Sequence, residues 1–274
     1  PAAGRGQLGA GSRMKLTIER NGLLRALAHV QAVVERRNTI PILSNVLLQA
    51  GDGRLRLTAT DLDLEASDSA EAKVARAGEI TAQAQVLFDV VRKLKDGSDI
   101  VLEAKDGQLA ISAGRSNYSL PTLPAGDFQT MAREEGAIRF EMAAADLRRL
   151  IDKTRFAIST EETRYYLNGI FLHHAKGAEG AVLRAVATDG HRLALAETGA
   201  PTGASALEGI IVPRKAVLEI RRLLEDAPET VQVAASDSKI MLRMGEATLT
   251  SKLIDGSFPP YQRVIPKENP RKLI

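Results

Sequence analysis

One short pattern occurs twice in the chain, and other features of the sequence repeat around it. The tripeptide Ala-Thr-Asp ends at Asp61 and again at Asp189, where Gly-His-Arg follows it. After Asp61 the next residues are Leu, Asp and Leu, so the glycine, the imidazole and the guanidinium are not repeated. A catalytic set needs all its members, whereas a repeated backbone element needs only its apolar pattern. The repetition therefore indicates duplicated architecture.

The predicted secondary structure has the same order in both halves of the chain. A strand leads to a helix, then to further strands, a second helix and three closing strands. In the first half we predict strands at 16–18, 42–48, 54–58, 78–82, 100–104, 108–113 and 117–120, and helices at 23–34 and 86–94. In the second half we predict strands at 138–140, 209–212, 231–235, 239–244 and 247–253, and helices at 147–151 and 217–224.

The length of 274 residues allows two domains of this kind. We predict an α+β fold made by tandem duplication, with a boundary near Gln129–Ala137. The predicted domains are residues 14–132 and 137–265. Residues 1–13 are predicted to be a disordered leader or tag, and residues 266–274 a linker.

Composition excludes several classes of site. The chain contains no Cys, which excludes disulfides and thiolate metal sites. No Asp or Glu stands at metal-ligand spacing from any histidine, so we expect neither a metal nor another cofactor. The histidines are His29, His173, His174 and His191. No apolar run is long enough to span a membrane, and a cytoplasmic protein is expected.

Charge is distributed unevenly between the predicted elements. In each of the four helical windows Lys and Arg outnumber Asp and Glu by two, while the strands and loops are acidic. Helical periodicity places these cations opposite the apolar stripe. Lys and Arg are also ordinary helix formers on any wet surface, but the shared bias favours a positive face. Such a face attracts a polyanion without reading base sequence.

Two other features are candidate functional sites. Asp61, Asp63 and Glu65 alternate as on one face of a strand and offer a divalent-metal nuclease as the alternative function. They are better interpreted as turn and surface groups, and a plain scaffold is the third possibility. Tyr165 and Tyr166 form the densest aromatic point. If they lie on a strand they point to opposite faces, so at least one is expected to be exposed.

Several segments together resemble a known family, the bacterial beta sliding clamp. The segments are Arg37–Asn45, Ala59–Asp61, Gly114–Ser116, Arg164–Gly169, Ala187–Leu193, Val212–Lys215 and Thr250–Leu253. The resemblance covers Met14 to about Leu273. It implies clamp domains with antiparallel sheets outside and two helices on the inner face. It also implies a non-catalytic processivity factor of DNA polymerase III that encircles duplex DNA.

The resemblance also implies site residues. DNA contacts would be Arg37, Tyr165 and Tyr166, whereas Glu161, a carboxylate near phosphate, departs from the family and is not counted. A peptide pocket would comprise Arg164, Leu167, Thr188, Gly190, His191, Leu193, Pro259, Arg263 and Val264. Tyr118 and Leu120 would lie at a ring interface.

The partners implied by the resemblance are duplex DNA, the polymerase III alpha subunit, the clamp loader, and other polymerases and repair proteins. The family's chain has three such domains and forms a homodimeric ring. The sequence stops about where the third domain would begin. We therefore expect a truncated clamp in which the ring and the far wall of the peptide pocket are incomplete.

Overall fold

In the computed structural model, which describes residues 13–35, 39–132 and 137–266, one order of eight strands and two helices occurs twice. The first repeat comprises β1 Lys15–Glu19, α1 Arg20–Gln31, β2 Asn45–Gly51, β3 Arg54–Thr60, β4 Leu64–Arg76, β5 Gly78–Gln83, α2 Ala84–Lys93, β6 Asp99–Lys105, β7 Gln108–Ala113 and β8 Ser116–Leu123. The second repeat comprises β9 Ile138–Ala143, α3 Ala144–Thr154, β10 Gly169–Lys176, β11 Ala181–Thr188, β12 Leu193–Gly199, β13 Ile210–Pro213, α4 Arg214–Leu223, β14 Thr230–Ala235, β15 Lys239–Met244 and β16 Ala247–Lys252. The predicted duplication is confirmed.

The helices pack on the sheets through the apolar stripes that the sequence predicts. In α4, Val217 and Ile220 are buried while Arg214 is exposed. In α2, Leu87 and Val91 are buried while Lys93 is exposed. A helix with one apolar stripe gains stability mainly by burying that stripe against a sheet. Arg214 and Lys93 are left at the surface.

All strand pairings in the described part of the chain are antiparallel, and one twelve-stranded sheet contains strands of both repeats. Its order is β1-β6-β7-β8-β5-β2-β3-β4-β16-β15-β14-β9, and β1 also pairs with β4, which closes the first repeat on itself. A second sheet has the order β12-β11-β10-β13. One hydrophobic core extends through both repeats.

The two repeats join where β4 pairs with β16. Their register places Ala66 opposite Leu249 and Leu64 opposite Ser251. By element order, β16 of the second repeat corresponds to β8 of the first, and β12 corresponds to β4. The joint is therefore heterologous, since it pairs two different edges of the repeated unit.

Three local predictions are corrected by the structure. Residues 42–44 are not strand, because Pro41–Ser44 forms a 3₁₀ turn and β2 begins at Asn45. Proline lacks an N–H and favours such a first-turn position. Residues 164–167 lie in a 3₁₀ segment, Glu162–Leu167, and not on a strand. Strands β4, β10, β11 and β12 were not among the predicted strands; β4 is rich in Ala and Glu, which have low strand propensity.

Some predictions concern residues outside the described ranges. These are the leader up to residue 12, Arg37, residues 133–136 of the predicted boundary and residues 267–274 of the predicted linker. Among the described helices, none has the length and apolar character needed to cross a bilayer.

Candidate functional site

The second Thr-Asp turn is held by hydrogen bonds within five residues. Asp189 Oδ1 accepts from the backbone N–H groups of His191 and Arg192, at 3.0 Å each. Thr188 Oγ1 accepts from the N–H of Gly190 and donates to the carbonyl of Arg192. Gly190 has φ +90°, a left-handed conformation that glycine adopts without strain. The turn holds His191 at the surface.

The first Thr-Asp turn has the same geometry but a different outer contact. Asp61 Oδ1 accepts from the N–H groups of Asp63 and Leu64, and Leu62 occupies the left-handed position with φ +78°. Asp61 Oδ2 accepts from Lys215 Nζ of the second repeat. The equivalent oxygen of Asp189 instead pairs with Arg192 of its own turn. One copy of the turn is therefore part of the joint between repeats, while the other faces solvent.

The charge of the second turn is fixed by its donors. The N–H groups of Arg192 and His191, with the Arg192 guanidinium, lower the pKa of Asp189 to about 2. The Arg192 guanidinium also lies 5.6 Å from the ring centre of Phe156, which is exposed. A cavity of about 370 Å³ borders this turn. Its lining comprises Arg155, Phe156, Ile158, Ser159, Thr160, Glu161, Asp189, His191, Arg192, Arg214 and Leu218.

Arg164 lies against this turn and links two predicted parts of the peptide pocket. A Cβ on Gly190 would overlap its guanidinium, so the glycine permits the close approach. Arg164 donates twice to Glu161, from Nε at 3.0 Å and Nη2 at 2.7 Å. These bonds lower the pKa of Glu161 and raise the pKa of Arg164. The carboxylate of Glu161 is thus neutralised by Arg164.

The two tyrosines differ in exposure. Tyr165 is 53% exposed and Tyr166 is half-buried, with ring centres 5.8 Å apart in an edge-on arrangement. The expectation that at least one is exposed agrees with the structure, although its premise of a strand was wrong. A Cβ added at Gly256, in the segment after β16, would lie 3.1 Å from the Cβ of Tyr166, so this glycine lies beside the tyrosine.

The remaining predicted pocket residues lie on the segment after β16. Pro259 is half-buried, while Arg263 and Val264 are exposed at the end of a short 3₁₀ turn, Tyr261–Arg263. Ile254 anchors the start of the segment by donating its N–H to Ile211. The proximity of Gly256 to both tyrosines places this segment beside them.

Burial separates the predicted site residues into two kinds. Leu167 is 3% exposed and Leu120 is 8% exposed, so both side chains belong to the core of their repeats. Leu193 is half-buried at the end of the Thr-Asp turn. Tyr118 is 41% exposed on β8. Thr188 is also buried, at 9%, so the surface available to a ligand consists mainly of the remaining residues.

Most helical cations are neutralised within the protein. Seven of these cations each form an ion pair with a carboxylate; they are Arg20, Arg92, Arg148, Arg149, Lys215, Arg221 and Arg222. The other four are exposed and have no ion-pair partner among the described residues; they are Arg25 on α1, Lys93 on α2, Lys153 on α3 and Arg214 on α4. Each helix thus keeps one free cation.

The carboxylates of the nuclease alternative do not converge. Asp61 pairs with Lys215, Asp63 pairs with Lys252 at 2.8 Å, and Glu65 accepts from the N–H of Met131 at 2.7 Å. Burial raises the pKa of Glu65. Within the three described ranges, no three His, Asp or Glu side chains group as metal ligands.

Comparison with known proteins identifies the family. Residues 14–132 match the model of the N-terminal domain of the DNA polymerase III beta subunit, and residues 141–260 match that of its central domain. The Beta sliding clamp of Caulobacter vibrioides strain NA1000 is 56% identical over 262 residues, which are 95% of this chain and 70% of that protein. The chain belongs to the beta sliding clamp family.

Solved sliding clamps share the fold described above. A crystal structure of the DNA polymerase sliding clamp from Caulobacter crescentus has a TM-score of 0.90 and 57% identity, covering 93% of this chain and 70% of that one. A sliding clamp from Bartonella birtlesii, bound to griselimycin, has a TM-score of 0.91 and 47% identity over 94% of this chain and 69% of its own. Sliding clamps are non-catalytic processivity factors of DNA polymerase III.

Sequence reasoning missed two features of this sliding clamp chain. One is that internal ion pairs leave a single unpaired cation on each helix, among the described residues. The other is a buried network around Tyr261, which involves His173 and Arg184. The adjacent histidines at 173 and 174 were the only sequence signal for it, and they gave no partner because Tyr261 is far away in the chain.

Proposed function

We propose that the chain holds duplex DNA through its helices and docks partner proteins through the second Thr-Asp turn. The observation that carries the DNA assignment is the single unpaired cation on each of the four helices. Arg25, Lys93, Lys153 and Arg214 can contact phosphates without losing an internal ion pair. Phosphate contacts position a protein without reading sequence, as a clamp that slides requires. Arg37, Tyr165 and Tyr166 are proposed as further DNA contacts.

Replacing these four cations by alanine should weaken duplex binding and flatten its salt dependence. The slope of log K against log salt should fall by up to about 3.6, because each phosphate contact contributes about 0.9. Fluorescence anisotropy with a labelled duplex, between about 50 and 200 mM KCl, measures this slope.

The matched control replaces four helical arginines that are already ion-paired, namely Arg92, Arg148, Arg149 and Arg221. This variant has the same change in net charge but should keep most of the slope. Equal slopes in the two variants would contradict the assignment to unpaired cations. A slope unchanged in both would contradict duplex binding by the helices.

We propose that the peptide pocket consists of the turn, the Arg164 segment and the segment after β16. The first contributes Thr188, Gly190, His191 and Leu193, the second Arg164 and Leu167, and the third Pro259, Arg263 and Val264. The polymerase III alpha subunit, the clamp loader, and other polymerases and repair proteins are the proposed occupants. An exposed imidazole and two guanidinium groups beside apolar side chains suit short peptides with apolar and polar groups.

Replacing His191 by alanine should weaken griselimycin binding about tenfold, equivalent to about 1.4 kcal/mol. Griselimycin is a suitable probe because related clamps have been solved with it. Isothermal titration calorimetry on the whole chain provides the dissociation constant. The control is Asp63→Ala, which changes the corresponding residue of the first Thr-Asp turn. Equal affinities for His191→Ala and the unmodified chain would remove His191 from the site.

We also propose head-to-tail assembly through strand edges. Residues 116–121 of β8 pair only with β7, and β12 pairs only with β11, within the described part of the chain. The corresponding strands β16 and β4 already pair with each other at the joint between repeats. The free edge of β8, on which Tyr118 is exposed, is therefore suited to pair with the strand that corresponds to β12 in another clamp domain. Leu120 contributes through its backbone, and a homodimeric ring would use this contact.

A further inference from the structure

Tyr261 lies at the centre of a hydrogen-bonded network that crosses three strands. It is 3% exposed, although the residues that follow it are at the surface. Its hydroxyl lies 2.9 Å from Nε2 of His173 on β10 and 2.9 Å from Nη1 of Arg184 on β11. Arg184 in turn pairs with Glu197 on β12, at 2.5 Å. The network thus extends from the core to the rim of the second sheet.

The direction of each hydrogen bond follows from the groups involved. His173 Nδ1 lies 2.8 Å from the carbonyl oxygen of His174, which can only accept, so Nδ1 carries a proton. Burial lowers the pKa of His173, which keeps the ring neutral. Nε2 therefore accepts from the Tyr261 hydroxyl. That hydroxyl accepts from Arg184, so both of its hydrogen-bonding roles are used.

Stacked rings in the same cluster also hold this segment. Phe258 stacks on Phe171 with ring centres 4.9 Å apart, and Phe171 stacks on His173 at 4.7 Å. Phe258 and Tyr261 thus bracket Pro259. Offset stacking and burial of such rings favour one geometry of the segment.

The residues beyond Tyr261 have few other constraints. The N–H of Arg263 bonds to Pro260 and that of Val264 bonds to Tyr261, at 3.1 Å each. The Arg263 side chain has no hydrogen bond or ion pair among the described residues, and Val264 is 69% exposed. Their placement therefore depends on the turn that Tyr261 anchors.

We propose that Tyr261, through His173 and Arg184, is a positioning residue that holds Arg263 and Val264 in place for peptide capture. The inference rests on the peptide site proposed above. Tyr261 itself does not contact the peptide. The hydroxyl determines the angle at which the turn leaves the sheet, and Glu197 completes the network by orienting Arg184.

The test is Tyr261→Phe in the whole chain, which removes the hydroxyl and keeps the ring. Griselimycin affinity, measured by calorimetry, should fall about three- to tenfold, the loss typical of one or two hydrogen bonds. Hydrogen exchange of the Arg263 and Val264 amides should accelerate, while amides of β10 and β11 stay protected. Duplex binding should not change, whereas a general loss of stability would weaken duplex binding as well.

Two further variants complete the design. Ser98→Ala removes an exposed hydroxyl of the first repeat that donates only to the carbonyl of Lys95, and should bind griselimycin like the unmodified chain. Glu197→Gln removes the ion pair that holds Arg184 at the rim and leaves the buried groups intact. It should cause a smaller loss of griselimycin affinity than Tyr261→Phe. It therefore tests the network even if Tyr261→Phe does not fold.

The outcomes separate this inference from the proposed peptide site. If the unmodified chain does not bind griselimycin, or His191→Ala binds equally well, the proposed site is wrong. If His191→Ala loses affinity while Tyr261→Phe and Glu197→Gln bind normally with unchanged exchange at Arg263 and Val264, only the positioning role is overturned.

Discussion

Replacing Gly169 by alanine is expected to destabilise the protein by about 3 kcal/mol, the upper range for overpacking of a rigid site. Gly169 begins β10 and lies opposite Pro213 of β13. A Cβ there would overlap the carbonyl oxygen of Val212 and lie 2.9 Å from its carbonyl carbon. Backbone atoms of a paired strand cannot move aside as a flexible side chain can. The two strands must therefore separate or shift.

The effect of this substitution should extend to the proposed DNA site. The carbonyl of Asn168 accepts from the N–H of Arg214, so the start of β10 is joined to the first residue of α4. A shift of β10 displaces Arg214 and the preceding tyrosines together. We therefore expect weaker duplex binding even under conditions where the variant is folded.

Urea denaturation followed by circular dichroism measures the loss of stability. The matched control is Gly199→Ala at the end of β12, where an added Cβ meets no atom within 4 Å and φ is not positive. That variant should remain within about 0.5 kcal/mol of the unmodified chain. Similar midpoints for the two variants would show that the strand pair tolerates a side chain at Gly169.

Replacing Arg222 by alanine is expected to reduce the free energy of unfolding by about 2 kcal/mol, in the range for charge-assisted hydrogen bonds. Arg222 Nη1 donates to the carbonyl of Ala28 at 2.9 Å, and Nη2 donates to that of His29 at 2.8 Å. These carbonyls are among the last four of α1, which lack partners within the helix. The guanidinium also opposes the negative end of the helix dipole.

This substitution should weaken the coupling between the repeats as well as total stability. The same contact region contains His29, which lies between Asp68 of its own repeat, at 2.7 Å, and Asp226 of the second, at 3.5 Å. Lys215 adds ion pairs from α4 to Asp61 and Glu35. Without Arg222, we expect the thermal unfolding transition to broaden as the repeats unfold less cooperatively.

The duplication supplies the control for this prediction. Arg92 occupies the ninth position of α2, as Arg222 does in α4, and each pairs with the acidic residue three positions before it. Arg92 has no bond to the other repeat among the described residues. Arg92→Ala should change stability by less than about 0.5 kcal/mol. Comparable losses for Arg92→Ala and Arg222→Ala would contradict the role assigned to the joint.

The sequence was sufficient where local patterns decide structure. The alternation in β3 and the apolar stripes of α2 and α4 follow from side-chain periodicity, which acts over a few residues. The repeated Thr-Asp turn was visible as a motif, because its hydrogen bonds join residues at most four apart. The same reasoning failed for β4, whose small and polar residues become a strand only through pairing with β1, β3 and β16.

The sequence by itself thus determined the duplication, the element types, the net charge of each helix and the resemblance to sliding clamps. Only the tertiary structure decided which helical cations are free, since pairs such as Arg221 with Asp152 and Lys215 with Asp61 join distant parts of the chain. It also decided that His173 meets Tyr261. Hydrogen bonds and ion pairs depend on distances of a few ångströms, which sequence periodicity does not specify for residues far apart in the chain.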